Sequence, residues 1–574
     1  MKQHRKGEAL AIGALALSLL IPTVGCAPLE ETPTGKSTAS AGASDEESPA
    51  SVKDGGEAVF AGFISTPKSW NPLTAQGDTT GNRQAQWPFY PHVFYGDYAG
   101  ALQLNTDLME SAEVTSEDPM TVVYKIKPGA VWSDGEPIDA DDFLYTWSAQ
   151  DPRQCADCTA AWTAGYDSLT LTASEDKLTV TAVFDKPFSM WKTLFITLLP
   201  AHIAAEYGDL ATSFNDGFVN NQPKVSGGPY VISDFQADIS LTMVKNEKWY
   251  GSPAHLDTIH YRYITSPSEV ITAYQNGEVT IVYQNPSLET VEKANAIEGS
   301  SVQIASSLTY YHLIFKAVGD GLGDPVLRKA VSQAIDSSDF VTRIPKQYDP
   351  SAPVLGSLAF APGQAYSGYS GDPYVDAAKA LGVGQGDVEG AKKALTDAGY
   401  KITDGKLYLP SGEALRPLTI LTYSSDSERM QMAEILNSQL KAIGIETTID
   451  AADNTRYGTD GFAGKFDILI TATASDLGVQ ALDQWYGTGK ARNGSGYSSA
   501  AFDALVAEGN VALDPAEQVR ILQEMDNMLL SEAIALPLYS IGNVLIHSKD
   551  FGGLEPSMSK YGLTWNINNW GFLA

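Results

Sequence analysis

Cysteine is scarce in this sequence, and acidic residues far outnumber basic ones. There are three Cys among 574 residues, too few for a disulfide-stapled scaffold or a four-thiolate zinc site. Lys and Arg together number 38 against 69 Asp and Glu, which gives a formal net charge of −31. A polyanion is repelled by phosphate backbones and by anionic lipid. This balance therefore disfavours nucleic-acid binding and adhesion to a membrane through a basic surface.

Common catalytic and cofactor motifs are also missing. The sequence has no GxxxxGK[ST] phosphate loop, no HExxH zinc motif and no GxSxG nucleophile elbow. Its seven His are scattered without a metal-binding spacing. The acids Asp134, Asp139, Asp141 and Asp142 lack EF-hand spacing, so we interpret them as a turn followed by the acidic first turn of a helix. We expect no metal, no cofactor and no enzymatic activity.

The N-terminus has the pattern of an export signal. Three basic residues within the first six positions precede an apolar run over 9–24, which is short for a membrane span. The run ends at Cys26, which follows a small residue as in the bacterial lipobox. We predict a lipoprotein signal peptide over 1–25 and lipid attachment at Cys26. An ordinary secretory signal with a chance Cys is the alternative.

The segment 26–56 is rich in Ser, Thr, Ala, Pro, Gly and acids and has almost no large apolar residue. Such a segment cannot bury enough surface to offset the entropy of ordering, so we predict a disordered tether. No later stretch of the sequence has 18 or more consecutive apolar residues. We therefore expect no second membrane anchor.

The remaining sequence mixes helical and strand patterns. Asp324-Pro325 precedes VLRKAVSQAID, where the apolar spacing predicts one face of a helix with Asp as N-cap and Pro in its first turn. The segments 121–127 and 169–184 alternate with period two and predict antiparallel strands, the second being a hairpin.

A parallel arrangement is predicted further along the chain. The strand pattern at 418–423 is followed by Ser425-x-x-Glu428, a capping-box signature that opens a helix ending at Gly444. Strand patterns at 445–449 and 466–470 follow. This order predicts a βαβ unit with a right-handed crossover.

Cys155 and Cys158 form a CxxC motif between polar segments. Thioredoxin-like chemistry would need a strand before the motif, and the sequence shows none there. We interpret the pair as a structural disulfide that clamps a loop. A redox-active pair and two free thiols are the alternatives.

Several short motifs occur in a fixed order along the chain. They are YKIKPGAVWSDGEPIDADDFLYTW at 124–147, GGPY at 227–230, KNEKWYG at 245–251, NGEV at 276–279, ALPLY at 535–539 and the late WNINNW. With these motifs the chain resembles the family 5 extracellular solute-binding proteins of ABC importers, the oligopeptide- and dipeptide-binding proteins. Thr280 stands where that family usually has Asp.

The resemblance implies an α/β, two-lobed, periplasmic-binding-protein-like fold of type II, cluster C-like, with an extra antiparallel-rich subdomain in lobe I. The implied boundaries are 57–85, 225–305 and 540–574 for lobe I, 86–224 for its inserted subdomain and 306–539 for lobe II. It also implies a monomeric receptor that captures peptides by hinge closure. The receptor would be lipid-anchored on the outer face of the cytoplasmic membrane and deliver to the permease and ATPase of an importer.

The resemblance also suggests ligand contacts. In peptide-binding members an Asp after a strand of lobe II pairs with the ligand α-ammonium, and Asp476 falls at that place, although Thr473 replaces the family's Trp. A helix N-cap is the alternative role for Asp476.

Asn71 lies in a segment that resembles the family's cleft entry. Aromatic candidates for side-chain pockets, each with packing as the alternative, are Trp70, Trp87, Tyr90, Tyr310, Tyr311, Trp485 and Tyr497. The net negative charge suggests, in addition, a cleft that favours the cationic ends of solutes.

Other functions remain open at this point. Receptors of the same family bind nickel chelates, haem, glutathione or oligosaccharides. A surface signalling or adhesion protein would use the same lobes. A secreted hydrolase is disfavoured because the sequence shows no nucleophile–base constellation.

Overall fold

The structure, a computed structural model, describes residues 51–62, 64, 66–475 and 478–574. The predicted signal peptide, Cys26 and Asp476 lie outside these residues. Within them, no helix combines the length and the apolar character that a membrane span requires.

The described part of the chain includes residues 51–56, which belong to the predicted tether. Lys53 N donates to Phe572 O at 2.8 Å, and Ala574 N donates to Ser51 O at 2.8 Å. Val52 also forms a β-bridge with Leu573. Residues 51–56 therefore lie along the C-terminal segment, and the predicted tether was too long at its end.

Sheet A has seven strands around a parallel centre. Glu57–Gly62 pairs in parallel with Thr258–Arg262 on one side and with Ile281–Gln284 on the other. The outer strands are antiparallel to their neighbours. In spatial order the strands are Ser300–Ala305, Asn543–Ser548, Ile281–Gln284, Glu57–Gly62, Thr258–Arg262, Ser240–Lys245 and Tyr230–Gln236.

Sheet C is a four-stranded antiparallel sheet, as the alternating sequence predicted. Its order is Met109–Glu117, Met120–Ile126, Thr179–Phe184 and Leu169–Ala173. Side chains of sheets A and C share one continuous core that includes Phe60, Tyr124 and Trp132. We call the part of the chain built on sheets A and C the first lobe.

Sheet B has five strands and forms the second lobe. Leu418–Tyr423 pairs in parallel with Thr447–Ala452 and with Ile468–Ala474, which confirms the predicted βαβ unit. Thr309–Phe315 is antiparallel to Ile468–Ala474 and to Ala535–Ser540. Helices cover both faces, so the sheet separates two cores.

The helices begin largely where the sequence indicates. Asp324 caps Pro325–Ala334 with its side chain on Val326 N, as predicted. The helix after Leu418–Tyr423 is capped by Asp426, and not by Ser425 as the capping-box pattern predicted. The helices of eight or more residues are Ala140–Gln150, Pro267–Gln275, Leu288–Asn295, Pro325–Ala334, Val388–Asp397, Ser427–Lys441, Asn454–Phe462, Val479–Tyr486, Ala500–Val511 and Pro515–Ser531.

The chain passes between the two lobes at two adjacent places. The first crossing follows Ser300–Ala305 and the second follows Ala535–Ser540. Ser307 Oγ, on the first crossing, donates to Ile541 O on the second at 2.5 Å. Because the crossings are bonded to each other, they form a narrow connection about which the lobes can rotate.

A buried acid in the second lobe predicts a pH-dependent stability. Asp526 lies on Pro515–Ser531 and accepts a hydrogen bond from Leu358 N at 2.9 Å. Burial raises the pKa of this carboxyl to about 7. A folded-state pKa above the unfolded value means that stability is lost as the pH rises from about 4 to about 7.

We expect Asp526→Asn to raise the free energy of unfolding at pH 8 by about 2–4 kcal/mol, and by less at pH 4.5. The amide keeps an acceptor for Leu358 N but cannot ionise. Urea titrations at the two pH values measure the difference, with the exposed hairpin residue Glu175→Gln as control. An equal effect at both pH values would contradict the assignment.

Candidate functional site

Three adjoining cavities lie where the two lobes face each other. The largest, about 450 Å³, is the polar chamber. The other two, of about 230 and 100 Å³, we call the apolar chambers after Leu102 and Met190, which line both, although the larger one also has Ser, Thr, Gln and Lys side chains in its wall. The polar chamber shares Leu308 with the larger apolar chamber and Lys560 with the smaller one. Together they form a single interlobe cleft.

Both lobes contribute walls to the polar chamber. Tyr283 and Asn543 belong to sheet A, whereas Thr309, Ala472 and Ala474 belong to sheet B. Thr309, Ala472 and Ala474 have small side chains, so they leave room for a solute beside the larger Tyr311 of the same sheet.

Arg429 supplies positive charge from the second lobe. It lies in the first turn of Ser427–Lys441, and its Nε lies 3.0 Å from Asp426 Oδ2. Its guanidinium carbon lies 5.4, 5.5 and 6.0 Å from the ring centres of Tyr457, Tyr311 and Tyr423. These cation–π contacts and the ion pair fix the guanidinium at the chamber wall.

Lys560 supplies positive charge from the first lobe. Its ammonium lies 5.8 Å from the Trp162 ring centre. The nearby Asp78 is already engaged, because it pairs with Arg83 and accepts from the Trp162 indole. Burial acts to raise the pKa of Asp78, but the charges of Arg83 and Lys560 outweigh it and hold that pKa well below its usual range. Over the described residues Lys560 makes no ion pair of its own.

Two buried donors in the polar chamber lack a hydrogen-bond acceptor. They are Gln84 Nε2 and Arg429 Nε, the latter in contact with Asp426 but not aligned for a hydrogen bond. Buried donors in folded proteins are nearly always satisfied. Both atoms are almost inaccessible, so neither is a contact point for a solute in the chamber.

The two apolar chambers extend the cleft under the inserted region of the first lobe. Leu102 and Met190 line both of them. The smaller one adds Phe188 and Ile196, and the larger one adds Leu513 from the second lobe. A solute with apolar groups next to its charged end would fill these spaces.

The charge of the cleft is opposite to that of the whole chain. Among the described residues that line the three cavities, Arg83, Lys192, Arg429 and Lys560 are basic and Asp426 is acidic. The expectation that the net charge makes the cleft favour cationic ends is therefore not met by this lining.

The lobes are in contact across the cleft. Ala365 N in the second lobe donates to Ala99 O at 3.0 Å, and Leu308 N donates to Met558 O at 2.8 Å. Ser367 Oγ donates to Leu102 O at 3.1 Å. These bonds between the lobes describe a closed conformation.

Two predicted contacts in the first lobe are packed away from the cavities. Asn71 is fully buried, with its Nδ2 donating to Phe214 O at 2.9 Å and its Oδ1 accepting from Leu73 N at 3.0 Å. Trp70 packs edge-on against Phe235. Both hold a turn here and lie outside the lining of the three cavities, so their contact with the solute stays a prediction.

Three predicted contacts in the second lobe are packed in the core. Tyr310 OH donates to Leu358 O at 2.7 Å, and Tyr497 OH donates to Glu532 at 3.2 Å. Trp485 packs edge-on against the buried His312. None of these three side chains lines a cavity of the cleft. Each has the packing role that was given as its alternative.

Among the other aromatic candidates, Tyr311 does line the polar chamber. Trp87 and Tyr90 line a different cavity within the first lobe. Asp476 lies outside the described residues, between Ser475 and Gly478, which line the larger apolar chamber. Its role stays a prediction.

Sequence reasoning missed the basic residues of the cleft. Arg429 follows a strand at the start of a helix, a place where polar side chains often meet a ligand in α/β sheets. That signal was present in the sequence. Lys560 stands in an irregular segment and Arg83 in the short helix Thr80–Gln86, neither within a motif, so only the folded chain brings them together. Over the described residues no group of His, Cys, Asp and Glu is arranged to hold a metal ion.

A disulfide joins Cys155 and Cys158 near the cleft. Ala161 N donates to Leu73 O at 2.8 Å, and the next residue, Trp162, lines the smaller apolar chamber. The bonded loop therefore presents an aromatic ring to the cleft.

The chain is similar to proteins that bind extracellular solutes. A profile described as "Bacterial extracellular solute-binding proteins, family 5 Middle" matches residues 103–493. Oligopeptide-binding protein OppA of Mycobacterium tuberculosis is 27% identical over 93% of this chain and 90% of its own.

Solved structures of similar proteins have the same fold. The periplasmic EDTA-binding protein EppA is 32% identical, covers 91% of this chain and 98% of its own, and superposes with a TM-score of 0.83. The oligopeptide-binding protein AppA of Bacillus subtilis, solved with a nonapeptide, is 20% identical, covers 91% and 100%, and has a TM-score of 0.69. These matches confirm the predicted two-lobed α/β fold.

The disulfide loop generates a testable prediction. We expect Cys155→Ser/Cys158→Ser to lower the free energy of unfolding by about 2 kcal/mol, because the short loop gains freedom in the unfolded chain. We also expect weaker solute binding, because the Trp162 loop is less restrained.

Urea titration and calorimetric binding measure the two effects. Reducing the wild type should reproduce them, and reducing the double variant should add nothing. A wild type that is unaffected by full reduction would contradict the prediction.

Proposed function

The chain belongs to the bacterial extracellular solute-binding proteins of family 5, receptors that bind substrates for ABC import, and on this premise we propose that it captures peptides in the interlobe cleft. The proposed receptor is held at the outer face of the membrane by lipid on Cys26. It delivers its solute as a monomer to the permease and ATPase subunits of an importer. The lobes close on the solute and open at the permease.

The observation that carries the peptide proposal is the combination of a basic polar chamber with apolar chambers beside it. A peptide brings a carboxylate for Lys560 and Arg429, which line the chamber from the two lobes. Its side chains can occupy the apolar spaces next to Leu102 and Met190. The peptide-binding relatives support this reading.

A second candidate solute is an anionic metal chelate. The relative EppA, 32% identical, is named for EDTA binding. Lys560 and Arg429 in the polar chamber and Lys192 in the larger apolar chamber suit a ligand with several carboxylates. In this case the protein would contact the carboxylate oxygens of the chelator, and the metal would be part of the solute.

Identification of the bound solute distinguishes the two. The body from Ser51 onwards is purified from a secreting host without added peptides or chelator, denatured, and its released small molecules are analysed by mass spectrometry. Peptides in the released fraction support the first proposal. A polycarboxylate with its metal supports the second. Recovery of neither a peptide nor a polycarboxylate, or turnover of peptides by the intact protein, would contradict both.

The position of Lys560 in the polar chamber predicts that the cleft prefers solutes with a free carboxylate. We expect Lys560→Gln to weaken binding of free-acid peptides and of metal–EDTA about tenfold, ~1.4 kcal/mol, because an ionic contact is lost. C-terminally amidated peptides should lose little affinity. Titration calorimetry measures each ligand, with the exposed Lys549→Gln, outside the cleft lining, as the matched control. Equal losses for acid and amide peptides would contradict the role.

Asp476 remains the predicted partner of the ligand α-ammonium. We expect Asp476→Ala to weaken binding of peptides with a free N-terminus by tenfold or more, because an ammonium would lose its counter-charge. N-acetylated peptides and metal–EDTA should bind as before. The same titrations report the result. An unchanged affinity for free-amine peptides would contradict this role, and the alternative of a helix N-cap is disfavoured because Gly478 is the N-cap of Val479–Tyr486.

A further inference from the structure

A second cavity lies within the first lobe, away from the interlobe cleft. Its volume is about 220 Å³. Two sequence motifs that the cleft does not use meet here, GGP at 227–229 and WNINN at 565–569, together with Trp249 and Tyr250 of KNEKWYG. We call this cavity the aromatic pocket.

Flat aromatic rings form much of its surface. Tyr95 and Trp565 are stacked, with ring centres 5.5 Å apart and planes 18° from parallel. Trp249 Nε1 donates to Ser252 O at 2.7 Å, and Trp565 Nε1 donates to Glu555 O at 2.7 Å. Both indole N–H groups are therefore satisfied within the protein. All three rings are half-buried, which leaves apolar ring surface facing the pocket.

Polar atoms of both kinds are left over around these rings. Asp107 Oδ1 accepts from Ser252 N at 3.0 Å and from Ser252 Oγ at 2.9 Å. Asn568 Nδ2 donates to Ser252 O at 3.2 Å. In the described part of the chain, no hydrogen bond is made by Asp107 Oδ2, Asn568 Oδ1, Tyr95 OH or the side-chain amide of Asn569. The pocket thus offers carboxylate and carbonyl acceptors beside hydroxyl and amide donors.

The backbone is shaped to bring these groups together. A Cβ on Gly251 would lie 2.4 Å from Trp249 Cζ2 and 2.6 Å from Asp107 Cγ. A side chain at this position would separate the indole from the carboxylate. Gly228, in the opposite wall, would place a Cβ 2.1 Å from Pro88 O. Glycine at both positions permits the close approach that the pocket needs.

We propose that the aromatic pocket is a saccharide site that holds one ring of a neutral sugar. Pockets for drug-sized ligands have volumes of ~300–1,000 Å³, so a cavity of about 220 Å³ suits a smaller unit. A sugar ring has an apolar C–H face for the Tyr95–Trp565 pair. Its hydroxyls both donate and accept, which matches Asp107 and Asn569.

The saccharide site is separate from the interlobe cleft. Trp87 lines the aromatic pocket and stacks on His92 at 3.5 Å. Its ring centre lies 4.8 Å from that of Tyr561, which lines the smaller apolar chamber. The Trp87 indole therefore lies between the aromatic pocket and the interlobe cleft. The inference therefore stands apart from the proposed peptide or chelate binding.

The test uses maltotriose, mannotriose and chitotriose as probes of the soluble body. We expect at least one to bind, and crystals soaked with it to show a sugar ring over Tyr95 and Trp565. Tyr95→Leu and Asn569→Ala should each weaken that binding roughly fivefold to tenfold. Tyr98→Leu is the matched control, because Tyr98 is 59% exposed and lies outside the pocket lining.

Each variant is also titrated with the solute identified for the cleft. Unchanged cleft affinity shows that the variant is folded and separates this test from that of the proposed function. The proposal is overturned if none of the three sugars binds at millimolar concentration. It is also overturned if sugar density lies only in the interlobe cleft, or if a segment of a partner protein, and no sugar, occupies the aromatic pocket.

Discussion

The carboxylate of Asp426 makes three contacts that decide how the second lobe meets a solute. It caps Ser427–Lys441 through Arg429 N at 3.1 Å, and it contacts the Arg429 guanidinium at 3.0 Å. It also accepts from Tyr311 OH at 3.2 Å. Because helix start, guanidinium and tyrosine share one acid, the basic wall of the chamber is positioned by the backbone of the helix and not by a flexible side chain alone.

The sequence predicted the scaffold much better than the cleft. The parallel pairing at Leu418–Tyr423 and the helix capped by Asp324 follow from local periodicity and capping, which neighbouring residues determine. The N-cap of this helix is Asp426, one residue after the predicted Ser425. The carboxylate of Asp426 also contacts the Arg429 guanidinium, which Ser425 was not predicted to do. Local patterns contain no information on such a tertiary partner.

The cleft residues show the same limit more strongly. Arg83 and Lys560 come from opposite ends of the chain and lie together only because the first lobe is discontinuous. Aromatic residues that looked like ligand contacts, such as Tyr310 and Trp485, serve the core of the second lobe, since large rings are the usual filling of an interior. Net charge was misleading for a related reason. A chain total of −31 describes the outer surface, whereas the field in a narrow cleft is set by the few side chains that line it.

The bonded crossings at Ser307 and Ile541 make the second lobe an insertion in the chain of the first. Its two ends leave the first lobe side by side, and segments 51–56 and 571–574 at either end of the ordered body also lie together. Structural units with adjacent ends are those that tolerate exchange between homologous proteins. The second lobe, which carries Arg429 and Asp426, is thus a unit of the cleft that could be exchanged between homologous proteins. Exchanging it at these crossings would transfer one wall of the binding site and leave the aromatic pocket of the first lobe intact.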